Sequence, residues 1–303
     1  MSDAAGDAAS ATGNGFLILD KAPGISSRHA LAQASKTLGA RKAGHAGTLD
    51  PFASGVLVCL FGRYTRLSDW FMAGTKGYDA SICFGSETDT LDPEGLVIAR
   101  AALPTLTQLE QSLAAFRGQI QQVPPAHSAI HVNGKRSYEL ARKGQEVELA
   151  PRSVFIHELT LVDYSNGTAL VRVGCGKGTY IRSLARDIAL ACGSRAYLSA
   201  LRRTAVGPFT IQHACTINDI HAKSLQRFTK ADATGLGLSI LELGDSDSDA
   251  FALGLPLARI GAFTDEHAIE GPVAVFDSSA VFAGIAVRDA GTWRYAMSMG
   301  GDT

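Results

Sequence analysis

The chain has 303 residues, 46% of them apolar, and a formal net charge of −1, enough apolar material for one large core or two unequal ones. The longest apolar run near its front, residues 56–61, falls far short of the roughly 20 residues a membrane-spanning helix needs, and five cysteines scattered singly, with no Cys-x-x-Cys spacing, argue against a zinc or redox motif and a secreted disulfide framework. The small net charge hides an asymmetry: residues 15–235 carry 25 Lys/Arg against 17 Asp/Glu and residues 236–303 carry 3 against 10, so the larger segment could attract phosphates and the C-terminal one would repel them.

Residues 1–14 are small and polar, with two acids and no base. They lack the charged start of a signal peptide and the arginines of a transit peptide, and read as a disordered tail on a cytoplasmic protein. Residues 15–20 are a short apolar run closed by Lys-Ala-Pro-Gly, a strand entering a turn. Ser26 and Ser27 offer an N-cap to an amphipathic helix carrying Ala30, Leu31, Ala34 and Leu38 and ended by Gly39. After a glycine-rich loop, residues 55–61 are apolar and β-rich, and residues 78–84 alternate as a half-buried strand does. Residues 106–116 fit a helix with Thr107 as its cap, and residues 123–144, polar, basic and turn-rich, read as an exposed insertion. A strand over 169–175, a helix over 180–192 and a further run from Tyr197 to Arg203 follow. Composition shifts to Gly, Asp and Ser around 235–250, the expected linker, and three β-type runs (272–276, 281–287 and 293–297) come after it. The sum is a mixed α/β protein with a small β-rich appendage.

The densest chemical cluster is Lys42-Ala-Gly-His-Ala-Gly-Thr-Leu-Asp-Pro-Phe-Ala-Ser-Gly55. Its glycines let backbone approach a ligand closely, and the proline after Asp50 keeps that residue out of the helical region. A carboxylate on such a turn could be a nucleophile, a general base, a metal ligand or only a turn former. Asp92-Pro93 is a second acidic turn of the same kind, with no obvious metal partners in sequence.

These residues carry a resemblance. The opening Gly15-Phe-Leu-Ile-Leu-Asp-Lys-Ala-Pro-Gly-Ile-Ser-Ser27 and the later Ala43-Gly-His-Ala-Gly-Thr-Leu-Asp-Pro51 resemble the first motifs of the TruB family of pseudouridine synthases. So do Lys76-Gly-Tyr78, Thr88-Asp-Thr-Leu-Asp92, Val123-Pro-Pro-Ala-His-Ser-Ala129, Lys177-Gly-Thr-Tyr-Ile-Arg182 and Tyr197-Leu-Ser-Ala-Leu-Arg-Arg-Thr204, in family order from residue 15 to 210. The resemblance implies an α+β pseudouridine synthase fold with a central mixed, largely antiparallel sheet and a small C-terminal β-rich PUA-like domain. The expected divisions are a tail over 1–14, a catalytic domain over 15–235 with an RNA-gripping insertion at about 123–150, a linker over 236–250 and the small domain over 251–303.

By the same resemblance, Asp50 is the catalytic aspartate, Arg182 its partner and Tyr78 the active-site tyrosine against the target base. A guanidinium beside a carboxylate typically lowers its pKa by about 1–3 units, which would keep Asp50 ionised. Tyr180 and Leu201 match positions lining the uridine pocket. His45 matches a histidine that helps displace the target nucleotide, and Lys21 the lysine of a Asp-Lys-Pro-like motif, here with Ala22 inserted before proline. Lys135, Arg136, Arg142 and Lys143 in the insertion, with Arg202 and Arg203 past the pocket, are the expected RNA contacts. The implied reaction is isomerisation of the T-loop uridine at position 55 of tRNA, through a flipped-out base and without metal or organic cofactor. Attack on the base, attack on the sugar and a glycal route all stay open. The expected partner is the tRNA T arm, with no membrane and no guide RNA, and the protein a monomer. Three other readings fit part of the sequence: a guide-dependent synthase of the dyskerin type, disfavoured by the acidic C-terminus and lack of a basic tail; a metal-dependent hydrolase with an aspartate nucleophile; and a non-catalytic RNA-binding protein.

Overall fold

The computed structural model describes residues 13–128, 130–132, 134–141, 144–145, 148–263 and 271–300. The chain begins with β1 (Gly15–Lys21), α1 (Ser27–Leu38), β2 (Ala43–Ala46), β3 (Ser54–Phe61), α2 (Ser68–Ala73) and β4 (Lys76–Phe84). A hairpin of β5 (Ser86–Thr88) and β6 (Val97–Arg100) leads to α3 (Leu106–Ala114) and β7 (Gly118–Gln122). The insertion holds β8 (His131–Val132), β9 (Lys135–Arg136) and α4 (Ser137–Ala141). Then come β10 (Arg152–Ser165), β11 (Thr168–Cys175), α5 (Ile181–Ala191), β12 (Ala196–Val206), β13 (Phe209–Thr210) and α6 (Lys230–Gly235). The chain closes with β14 (Ser239–Glu242), α7 (Asp245–Ala252), β15 (Pro272–Phe276), β16 (Phe282–Asp289) and β17 (Thr292–Ser298).

Among the described residues, nine strands form the central sheet in the order β1-β3-β12-β4-β11-β10-β7, with β2 added to β3 and β13 to β12. Its pairs are antiparallel except β12 with β3, the mixed, largely antiparallel arrangement that the sequence implies. The two halves of the sheet are covered differently. On β4, Tyr78, Ala80, Ile82 and Phe84 are buried while their neighbours are partly open, so one face packs against α3 and α5. Nearly every side chain of β1 and β3 is buried. One of their faces meets α1 through Leu17, Leu19, Ala30 and Ala34, and the other an aromatic core of Phe16, Tyr64, Phe71 and Phe209. Continuous apolar runs of this kind are what a strand needs when both faces are covered.

Local signals place the elements. Ser26 caps α1 by accepting from the His29 amide at 3.1 Å, and Gly39 ends it in the left-handed region at φ 62°. The cap of α3 is Thr105, two residues before the expected Thr107; its hydroxyl and the Gln108 side chain form a reciprocal capping box. Asn14, assigned to the tail in sequence, accepts from the Arg63 amide at 2.7 Å; residues 1–12 of that tail lie outside the described residues.

The expected linker at 236–250 is instead ordered chain. It contains β14, which pairs in parallel with β15, and most of α7, whose first turn carries Asp245 and Asp247, acids that suit a helix N-terminus. The four-stranded sheet β14-β15-β16-β17 shares a core with the central sheet: Ala274, Phe276, Phe282, Ile285 and Met297 pack with Phe16, Val58, Leu60 and Tyr64. None of the described helices is long and apolar enough to cross a membrane.

Candidate active site

Asp50 lies in the loop between β2 and β3, and the carbonyls of that loop are tied down one after another. Arg203 donates from Nη2 to Gly47 O at 2.9 Å and from Nη1 to Thr48 O at 3.4 Å. Ser27 Oγ donates to Leu49 O at 2.9 Å, and the Ala53 amide to Asp50 O at 3.1 Å. Pro51 O accepts from the Gly24 amide at 2.8 Å and from Lys21 Nζ at 3.3 Å. Gly55 closes the loop at φ 101°, where a Cβ would stand 2.2 Å from Arg203 O. Only glycine lets β12 run this close to β3. The loop is thus held in place before any substrate arrives.

Its carboxylate is held by one side chain. Arg182, in the first turn of α5 and 5% exposed, has five N–H groups and five acceptor contacts. Nε meets Asp50 Oδ2 at 2.8 Å; Nη2 meets Asp50 Oδ1 at 3.2 Å and His127 O at 2.9 Å. Nη1 meets Thr90 O at 2.7 Å and Asp92 Oδ2 at 3.3 Å. The Asp50 side chain keeps 32% exposure. A bidentate fork therefore fixes the orientation of its carboxylate, at the edge of the enclosed site.

Asp92, in sequence only a second acidic turn, belongs to the site. Its Oδ1 accepts from Thr90 Oγ1 at 2.5 Å and from the Glu94 amide at 3.1 Å, which leaves Oδ2 for Arg182. Leu91, at φ 60°, makes the turn, and its carbonyl accepts from the Leu198 amide of β12 at 3.1 Å. The signal was present: Thr-Leu-Asp-Pro occurs twice, at 48–51 and 90–93, and both copies converge on Arg182.

Electrostatics depart from the expected direction at Asp50. Burial pushes its carboxyl above the ordinary value, Arg182 opposes that, Asp92 adds to it, and the Arg182 hydrogen bonds and Lys21 oppose it. Burial outweighs the arginine. Lys21, 1% exposed, donates to Ala22 O at 2.9 Å and Ile25 O at 2.8 Å as well as to Pro51 O. Burial lowers it to about 8, against the attraction of Asp50.

Tyr78 is buried on β4 opposite Arg203 of β12. Burial raises its hydroxyl, with Arg203 opposing, so it remains a phenol at neutral pH. Leu201 shares one core cluster with Tyr78, Leu49 and Ile181. Half-buried Tyr180 precedes α5, and the buried Gln122 side chain both accepts from its amide at 2.8 Å and donates to its carbonyl at 3.1 Å. His45 is half-buried on β2, and burial, then Arg203, lowers its pKa.

The expected RNA contacts divide. Arg202 keeps 42% of its side chain exposed and forms a two-point pair with Asp20 at 2.7 and 3.2 Å. Arg203 is a correction: at 2% exposure, bonded to Gly47 O, Thr48 O and, at 2.7 Å, Val56 O, it is too enclosed to meet a phosphate and serves the Asp50 loop. Lys135 and Arg136 form β9, paired with β8. Arg142 and Lys143 lie outside the described residues. The root of the insertion is stitched to α5, since Val123 O accepts from Ser183 Oγ at 2.8 Å and Arg186 Nη2 at 3.0 Å. Among the described residues, no group of three or more His, Cys, Asp or Glu side chains is placed to hold a metal.

Comparison with known proteins bears on this site. Residues 35–181 match the model for the TruB family pseudouridylate synthase N-terminal domain, and residues 182–241 that for the tRNA pseudouridylate synthase B C-terminal domain. The chain is 46% identical over 235 residues to tRNA pseudouridine synthase B of Bordetella avium, covering 76% of this chain and 94% of that one. It is 39% identical over 285 residues to the protein of the same name from Francisella philomiragia, covering 92% of each. Among solved structures it resembles a chain of a Cbf5-Nop10-Gar1 complex, with a TM-score of 0.69 and 26% identity over 91% of this chain and 79% of that one. A chain of an H/ACA RNP bound to a substrate RNA containing 2′-deoxyuridine gives a TM-score of 0.66 at 25% identity over 90% and 78%.

Proposed function

Because the chain belongs to the TruB family of pseudouridylate synthases, we propose that it isomerises a uridine of tRNA to pseudouridine, with Asp50 as the group that acts on the nucleotide. The observation that carries this reading is the Asp50 side chain, 32% exposed, gripped at both carboxylate oxygens by Arg182 and set on a loop whose carbonyls from Gly47 to Pro51 are all bonded. In the reaction the N1–C1′ bond of uridine breaks, the base turns and C5 bonds to C1′. The C5 hydrogen leaves as a proton and N1 takes one up, so mass is unchanged. An ionised carboxylate can attack carbon at the base or the sugar, or take the C2′ proton on a glycal route. A preorganised site serves each of these without rearranging.

The finer reading assigns Tyr78, Tyr180 and Leu201 to the pocket of a flipped base, His45 to its displacement and Lys21 to holding the loop. Extruding a base costs a few kcal/mol, and each aromatic stack returns about 1–3 kcal/mol. Lys135, Arg136, Arg142 and Lys143 of the insertion, with Arg202, are the proposed RNA grip. We take the substrate to be the T-loop uridine at position 55, and the enzyme to act as a cytoplasmic monomer without guide RNA or cofactor. The 3 basic against 10 acidic residues of 236–303 support a minor role in RNA contact for the C-terminal, PUA-like sheet.

The test is tritium release from a T-arm stem-loop labelled at uridine C5, with purified wild type and Asp50→Ala, in EDTA and without other components. Release by wild type alone is expected. Release that requires added guide RNA and partner proteins would move the chain to the guide-dependent class, and loss of release in EDTA would revive a metal-dependent reaction.

A further inference from the structure

We propose that Ser27 is a positioning residue for Asp50. The inference rests on the reading of Asp50 as the acting group. In sequence Ser27 is one of two candidate caps for α1, but Ser26 alone does the capping. The Ser27 hydroxyl is 1% exposed with its residue and does something else. It accepts from the Leu49 amide at 2.8 Å and donates to the Leu49 carbonyl at 2.9 Å. One oxygen thereby satisfies both backbone groups of the residue immediately before Asp50, 22 positions away in sequence, as a neighbouring strand would.

The consequence follows from what surrounds Leu49. Its carbonyl belongs to the peptide unit whose nitrogen is that of Asp50, so the hydroxyl fixes the plane from which the carboxylate projects. Leu49 is itself 3% exposed and packs in the cluster of Tyr78, Leu201 and Ile181, so its polar groups have little access to water once Ser27 Oγ is gone. Buried backbone groups left unpaired are costly enough to make the chain move. The Arg182 fork, with contacts of 2.8 and 3.2 Å to the two Asp50 oxygens, tolerates little movement.

The experiment compares wild type, Ser27→Ala and Ser27→Thr by tritium release over a range of T-arm RNA concentrations, and by amide exchange at Leu49. For Ser27→Ala the expected result is kcat lower by about 30- to 100-fold with KM within about twofold, because a displacement near 1 Å costs on the order of 100-fold. Its Leu49 amide should exchange faster. Ser27→Thr keeps the hydroxyl and should return kcat to within about threefold of wild type, with Leu49 protected again, as the hydroxyl and not the packing carries the effect. A Ser27→Ala kcat near wild type, or a threonine variant as impaired as the alanine one, overturns the proposal. Should wild type release no tritium, the functional reading fails by itself; Leu49 exchange then decides alone, and an unchanged rate in Ser27→Ala overturns the positioning role.

Discussion

Asp92 reaches Nη1 of Arg182 at 3.3 Å, on the edge of the guanidinium that Asp50 does not use. One buried cation therefore serves two carboxylates, and Asp92 raises the carboxyl of Asp50 while Arg182 lowers it. Asp92→Asn should keep the Thr90 and Glu94 contacts at its oxygen, remove the charge and set an amide N–H, a donor, where Arg182 Nη1 had an acceptor. The acid limb of the kcat–pH profile then moves to lower pH, since a like charge near Asp50 is gone. Turnover at neutral pH falls by roughly tenfold, since Arg182 loses a charged anchor worth about 1.5 kcal/mol or more. A limb that stays in place or moves upward would show that Asp92 does not act on Asp50.

The raised carboxyl of Asp50 also has a stability signature. Its unfolded reference is 3.8 and its folded value lies higher, mainly through burial. Across the window between these values the native state keeps a proton that the unfolded state has released, so stability falls as pH rises through the window and is flat above it. Asp50→Asn carries no such charge. The advantage of Asp50→Asn over wild type in urea unfolding should be small near pH 4, grow with pH and then level off. An advantage independent of pH would contradict this. Ionisation needed for chemistry is thus obtained at some expense of stability, a common arrangement in active sites.

Much of this was legible in the chain. Ser26 and Gly39 bound α1 as capping chemistry requires, the alternation of β4 gave its buried face, Asp50 pairs with Arg182, and Tyr78 and Leu201 share a core cluster with Leu49, the residue before Asp50. Other features escaped for identifiable reasons. The 14-residue β10 lost its period-two pattern because register shifts fall between Ile156 and Glu158 and between Leu161 and Asp163, each of which flips the side chains that follow. Residues 245–249 have a linker's composition, yet their aspartates suit the start of α7. Arg203 and Arg202 are adjacent and chemically identical. Only tertiary packing decides that one is enclosed by carbonyls and the other faces Asp20.

Arg203 and Arg202 differ in what each holds. Removing Arg203 leaves the buried Val56 O and the less enclosed Gly47 O and Thr48 O without this donor, an unsatisfied buried group costs about 1–3 kcal/mol, and the space of a buried guanidinium is emptied as well. Arg203→Ala should lower unfolding stability by on the order of 3 kcal/mol or more. Arg202→Ala, which breaks a half-exposed pair with Asp20, should cost about 1 kcal/mol or less. If Arg202 also meets a phosphate, its alanine variant reduces the salt dependence of RNA binding by about one ion. Urea titrations and binding at several salt concentrations separate the two arginines, and equal stability losses would refute the distinction.

The C-terminal sheet should unfold together with the catalytic one. Phe282 of β16 lies 4.8 Å from the ring of Phe228, 5.7 Å from Phe276 and 6.3 Å from Tyr64. Tyr64 in turn accepts from the Phe228 amide at 3.2 Å. Arg63 donates across the same seam to the Met299 carbonyl. A seam made of aromatic side chains with almost no exposure behaves as one core, and cutting it exposes apolar area at about 25 cal/mol per Å². Thermal or urea unfolding should therefore show a single transition by both far-UV dichroism and tryptophan fluorescence. Trp70 reports beside the shared core and Trp293 inside the small sheet's own cluster. Phe282→Ala should lower that single transition by about 3–5 kcal/mol, in both signals equally. Two separated transitions in wild type, or a Phe282→Ala effect seen only through Trp293, would mean that the small sheet is an independent unit resting on the large one.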